Sequence, residues 1–334
     1  MNEFSRFAEG QPLPGQPETY HIEATRSLVD RPLRTLKNDD LFGVFDRQGD
    51  CLGSQGAADG LYFRDTRFLS RLALRIGGLT PMLLSSVLLD NNSALSVDMT
   101  NADLHDDEGR VWLQRDSLHV SRTKFLCGNS CYERITVRRF DPLPGPVAVD
   151  VRVGADFADL FEVRGETRAA RGTMSAERVD DQTLRFIYRG LDHVERRTSV
   201  RFDPRPDVLT TEGAEWRLDL AERDRDQIVI CTTCETEGRP VRKPGGFAQA
   251  YRSIRSTSRR RAAWLNSVAS SNELVNAVFN RAAADIDMLL TETEHGLYPY
   301  AGSPWDSTIF GRDGIITALQ LLWSAPEIAK GVLR

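Results

Sequence analysis

The side chains best suited to chemistry lie together in the segment Pro304-Trp305-Asp306-Ser307-Thr308-Ile309-Phe310-Gly311-Arg312-Asp313-Gly314. Trp305 and Phe310 offer aromatic faces that can lie against the C–H face of a sugar ring. Arg312 donates while ionised Asp313 accepts, so neighbouring hydroxyls can be held at both oxygens. That combination suits a neutral, polyhydroxylated ligand. A structural reading stands beside it. Asp313 occupies the place of a helix N-cap, Arg312 can pair with a carboxylate, and Trp305 and Phe310 can be core residues. Asp306 is a further carboxylate in the segment with no role to match it.

The elements that position these residues change character along the chain. From about Leu36 to Glu235 the dominant period is two, the mark of strands with one buried face. Val147, Val149, Val151 and Val153 alternate with polar neighbours; Leu184, Phe186 and Tyr188 do the same, as do Trp216, Leu218 and Leu220. Gly77-Gly78 has the φ freedom for a tight hairpin. The paired charges Arg64 and Asp65 read as a locally neutralised hairpin turn. After Pro244-Gly245-Gly246 the pattern turns helical, first from about Phe247 to Trp264. A second helix follows a Ser270/Glu273 capping box and carries Leu274, Val275, Val278, Phe279, Ala282, Ile286, Leu289 and Leu290 on one face. A loop from Gly296 to Trp305 leads to a third helix after Arg312-Asp313, with Ile315, Ile316, Leu319, Leu322 and Trp323 as its stripe. A fourth begins at Pro326, with Ile328, Val332 and Leu333 apolar. It shows no C-terminal stop, so the chain reads as truncated.

Bulk properties exclude several classes. With 40% hydrophobic residues, 27% charged residues and a net charge of -5, the chain is an ordinary globular protein and not a polyanion binder, so nucleic acid is not an expected partner. The Arg252–Arg261 run reads as a solvated helix or linker. Residues 1–20 lack a secretory apolar core, and the longest apolar stretch, Gly77–Leu89, is short of the roughly 20 residues that span a bilayer. A cytoplasmic protein with no membrane partner is the expectation. Five cysteines do not make a disulfide framework. Cys127, Cys131, Cys231 and Cys234 raise the possibility of a zinc site, but strand geometry turns Cys231 and Cys234 to opposite faces, which favours small buried side chains. His21, His105, His119, His193 and His295 have no metal-ligand spacing, and no metal is expected.

The stretch from Tyr298 to Leu322 is similar to the opening of the catalytic domain of amylo-α-1,6-glucosidases, an (α/α)6 barrel introduced by a proline-aromatic loop and an F-G-R-D-G motif. Here the match is Pro304-Trp305 and Phe310-Gly311-Arg312-Asp313-Gly314. Upstream, Asp59-Gly60-Leu61-Tyr62-Phe63-Arg64-Asp65-Thr66-Arg67-Phe68-Leu69-Ser70 resembles the signature of the N-terminal domain of bacterial glycogen-debranching-type proteins. The resemblance implies a polar N-terminal segment (1–35), an antiparallel β-sandwich domain (36–245), and a linker helix with the first helices of an incomplete (α/α)6 barrel (246–334). It also implies a glycoside hydrolase that acts, when complete, on α-1,6 branch points of glycogen or related α-glucans by inversion. Arg312, Asp313, Trp305 and Phe310 would bind substrate. Inversion needs two carboxyl groups about 6.5–9.5 Å apart. The resemblance puts both on later helices, so no catalytic residue is assigned in this chain and no cofactor is expected. The alternatives are a non-catalytic carbohydrate-binding or interaction module, or a barrel hydrolase for another oligosaccharide. Oligomeric state is not legible.

Overall fold

Alternation along the sequence becomes one-sided burial in a stack of antiparallel sheets. The computed structural model describes residues 33–53, 57–89, 91–220, 223–239, 245–262, 269–302 and 305–334; expectations for residues 1–32, Trp264 and Pro304 lie outside them. In chain order the first elements are β1 (Arg34–Asn38), β2 (Leu41–Phe45), β3 (Cys51–Leu52), β4 (Gly60–Phe63), β5 (Thr66–Leu69), β6 (Arg71–Ile76), β7 (Met82–Leu88), β8 (Leu95–Thr100), β9 (Leu104–His105), β10 (Val111–Leu113), β11 (Leu118–Cys127), β12 (Ser130–Arg139) and β13 (Val147–Gly154). A one-turn helix, α1 (Leu160–Val163), precedes β14 (Thr173–Arg178), β15 (Thr183–Arg189), β16 (Glu195–Asp203), β17 (Val208–Thr210), β18 (Gly213–Leu218) and β19 (Arg225–Thr236). Then come α2 (Phe247–Ala262), α3 (Glu273–Leu289), the hairpin β20 (Leu290–Thr293) and β21 (Gly296–Pro299), α4 (Gly311–Leu321) and α5 (Pro326–Val332). No helix among the described residues is long and apolar enough to cross a membrane.

An eight-stranded sheet, β14-β15-β16-β19-β12-β11-β8-β7, faces a five-stranded one, β17-β18-β13-β6-β3. Val147, Val149, Val151, Val153, Leu184, Phe186, Trp216 and Leu218 are buried in the core between them, as their alternation predicts. A small sheet, β1-β2-β4-β5, is buried on both faces. Leu41, Phe45, Leu61 and Phe68 join the main core, while Phe42, Val44 and Tyr62 form a second cluster with Leu160 and Val163 of α1. The outer face of the large sheet takes α2 against Phe125 and Tyr132. The Arg-rich run is thus a helix packed along one side.

Several local expectations are corrected. Gly77 and Gly78 do make a tight two-residue turn at φ 56° and 78°, with Ile76 and Leu79 exchanging backbone hydrogen bonds across it, but β6 and β7 then enter different sheets, so the pairing goes no further. Asn272, not Ser270, caps α3, accepting from the amides of Leu274 and Val275. Leu290 leaves the helix for β20, which pairs with β21 in the segment read as loop. Arg64 pairs with Asp40 and not with Asp65. Cys131 and Cys234 lie in the main core, whereas Cys127 and Cys231 pack on the α2 side; the sheet itself divides the four thiols.

Three charged residues on the core face of the large sheet, Arg122, Lys124 and Glu133, are almost fully buried. Arg122 Nε donates to Glu133 Oε1 at 2.6 Å and its Nη1 to the carbonyl of Gln48 at 2.6 Å, while also pairing with Asp50. Lys124 Nζ donates to the Gly49 carbonyl at 2.6 Å and lies 3.1 Å from Glu133 Oε2. Burial opposes the charge on Glu133, but Arg122 and Lys124 outweigh it and hold the carboxyl below its usual value. The folded state therefore keeps this proton off. The contribution is complete above the unfolded value, about 4.3, and is lost as pH falls through the lower folded value. Glu133→Gln, which leaves two buried cations short of an anion, should cost about 3–5 kcal/mol in urea denaturation. Its acid limb should also be shallower than the parent's. A variant as stable as the parent, with the same acid limb, would show that the cluster contributes nothing net.

Candidate functional site

The first turn of α4 is held through the β20–β21 hairpin. Tyr298 and Tyr300 are two residues apart and share one side of the chain. Tyr298 Oη donates to the Phe310 carbonyl at 2.9 Å, immediately ahead of α4, and Tyr300 Oη donates to Asp40 Oδ1 at 3.0 Å in the β1–β2 turn. Burial first, then the neighbouring Asp40, raises the Tyr300 phenol above its ordinary value. Lys37 of β1 adds a second tie, donating to Thr291 Oγ1 at 2.6 Å with its ammonium 4.7 Å from the Tyr300 ring centroid. Burial pulls Lys37 down to about 8 despite Asp39 and Asp40, which favour its charge. Asp39 in turn pairs with Arg261 at 3.2 Å. The β20–β21 hairpin and the end of α2 thus meet the sandwich at one charged turn.

Close approach fixes the helices themselves. A Cβ on Gly314 would stand 2.3 Å from Tyr298 Oη, and one on Gly331 would stand 2.2 Å from the Leu297 carbonyl. Leu290, Ala325 and Ile328 close a small core beneath, with Leu297 and Leu321 against it.

Phe310 is the N-cap of α4 and lends no side-chain bond; Gly311 and Arg312 already belong to the helix. Asp313 is therefore a first-turn residue and not the cap, because the Tyr298 bond to the Phe310 carbonyl fixes where the helix begins. Its negative charge there complements the helix dipole. Among the described residues neither Arg312 nor Asp313 makes a hydrogen bond or an ion pair, and Arg312 is exposed. Phe310 is 39% exposed on the same turn. Trp305 sits elsewhere: its ring packs on the Phe42–Tyr62 cluster, and the Arg164 guanidinium lies 4.9 Å from its centroid. The structure brings Phe310, Arg312 and Asp313 onto one helical turn and roots Trp305 in the sandwich. Asp306 is exposed in the loop between. Sequence reasoning passed over Tyr298, Tyr300 and Lys37; the two-residue tyrosine spacing after Gly296 was the available signal.

Residues 36–231 match the family described as the N-terminal domain of (some) glycogen debranching enzymes. The chain belongs to this family. The match contains the whole Asp59–Ser70 signature, whose Tyr62 stacks on Phe42 at 4.7 Å and whose Arg67 is buried against Asp156. It ends before α2, and so does not reach α4. A solved structure described as a kojibiose phosphorylase from the human microbiome is similar over 90% of this chain, with TM-score 0.62 and 9% identity. At that identity the likeness concerns the fold alone, and the chain spans 45% of that structure's length. A gh92 family glycosyl hydrolase covers 84% of this chain and 40% of its own at 12% identity and TM-score 0.36, too loose to carry an argument. No curated protein matches the chain.

The two close-packed glycines lead to a stability prediction. Gly331→Ala should cost about 1–3 kcal/mol through overpacking against backbone. Gly302→Ala, whose Cβ would meet nothing within 4 Å, should be close to neutral. Urea midpoints that do not separate the two variants would contradict the close packing of α5 on β21.

Proposed function

We propose that this chain forms the β-sandwich (36–245) and opening helices (246–334) of a glycoside hydrolase acting on α-1,6 branch points of glycogen or related α-glucans, with Arg312 and Asp313 holding outer hydroxyls of the glucose to be released. The observation that carries the reading is the unclaimed donor–acceptor pair at the start of α4. Among the described residues Arg312 makes no ion pair and Asp313 caps no helix, and both residues sit on a turn anchored from the sandwich side by Tyr298. An exposed aromatic, Phe310, stands beside them as a surface for a sugar ring.

Two helices support a larger helical assembly around this turn. On α3 Leu274, Val275, Val278 and Phe279 are exposed, and on α4 Ile315, Ile316, Leu319 and Leu322 are exposed, with Leu319 at 71%. Amphipathic helices bury such stripes against other helices. The proposal places the general acid and base on helices of that assembly outside this chain. It asks of Arg312 and Asp313 only that they grip and orient.

The test is glucose release from a branched dextrin by the full-length protein. Asp313→Asn and Arg312→Gln should each lower kcat/KM by about 10- to 100-fold, the worth of a hydrogen bond to a charged group. Full-length protein that releases no glucose would reject the reaction. Release that is unchanged in both variants would reject the site and leave the family standing.

A further inference from the structure

A groove of about 410 Å³ runs between α2 and the outer face of the eight-stranded sheet. Its floor is a row across three neighbouring strands: Ser96 of β8 stands opposite Thr123 of β11, which stands opposite Arg134 of β12. Adjacent strands are about 4.8 Å apart, so the three side chains follow one another at short intervals along one face. Phe247 and Tyr251, one turn apart on α2, form the wall with Arg252 beside them. The Arg134 guanidinium lies 4.8 Å from the Phe247 ring centroid.

The charge of this lining is one-sided. Arg134 and Arg252 face the groove, and among the described residues no carboxylate lines it. Neither guanidinium forms an ion pair or a hydrogen bond among the described residues. Another cavity, about 240 Å³, differs: there Lys37, Arg260 and Arg261 are balanced by Asp39, Asp287 and Glu292. A guanidinium half-buried on an aromatic face, with no anion beside it among the described residues, is poised for an acceptor from outside.

We infer that this groove binds a small phosphate monoester carried on a ring. At about −1.5 to −2 near pH 7, such a phosphate matches two guanidiniums in charge and in the geometry of their forked donors. The Ser96 and Thr123 hydroxyls supply further donors to its oxygens, and Phe247 and Tyr251 supply the surface for the ring, whether sugar or base. The groove shares no residue with the α4 turn. It is a second site, and its ligand is anionic where the proposed substrate is neutral.

Calorimetric titration of the chain at low salt with glucose 6-phosphate, AMP and inorganic phosphate tests this. At least one ring-bearing phosphate should saturate and bind about tenfold or more tighter than inorganic phosphate, and the tighter of the two identifies the ring. Arg252→Gln, at an exposed position, and Arg134→Gln should each weaken that binding about tenfold or more, with far-UV circular dichroism unchanged. Three outcomes would overturn the inference: no saturation by any of the three up to about 10 mM, ring-bearing esters no tighter than inorganic phosphate, or binding unchanged in both variants. Because the readout is binding away from α4, failure here leaves the glucosidase reading untouched, and failure of that reading leaves this groove standing.

Discussion

The fold hangs on four linked buried charges, Asp50, Arg122, Glu133 and Lys124, gathered against one loop. Asp46 to Asp50 carries the chain from the small sheet to the five-stranded sheet, and Arg122 and Lys124, both paired with Glu133, fasten that loop to the eight-stranded sheet. Three sheets therefore converge on a point where each cation has an anion or a carbonyl to meet. Burying one such charge alone would cost several kcal/mol; burying them together lets the attractions offset the loss of water. Asp50 does double duty, since its Oδ1 also accepts the Leu74 amide of β6.

From that junction the order passes outward in short steps. The small sheet begins with β1 and β2, and the turn between them presents Asp39 and Asp40 to the helical part. Lys37 reaches the start of β20, Tyr300 reaches back to Asp40, and Tyr298 reaches forward to the residue before α4. The position of Arg312 and Asp313 is thus set by a series of buried and partly buried polar contacts that starts in the sandwich.

The sequence made the sandwich legible wherever alternation meant burial, as in β13, β15 and β18. It misled where charge stood in for grease. Arg122, Lys124 and Glu133 occupy core-facing positions, yet any local rule assigns such residues to water, because their partners at Gln48 to Asp50 lie on a distant loop. The α4 boundary failed for a related reason. Gly311-Arg312-Asp313-Gly314 reads as a loop with a cap, and only the long-range bond from Tyr298 starts the helix earlier. Phe310, Arg312 and Asp313 share one turn, as their adjacency in sequence implies, while Trp305 packs on the Phe42–Tyr62 cluster, a long-range contact that adjacency does not show.

The tyrosine pair also constrains how this chain can vary in length. Tyr298 and Tyr300 project from the same side of an extended segment and serve anchors on different structural layers. One residue added or removed in the Glu294-His295 turn would rotate both to the opposite side at once, unhooking α4 and the β1–β2 turn together. Insertions and deletions in descendants of this sequence should therefore gather elsewhere in the helical part, and that hairpin should keep its length even as its exposed residues drift.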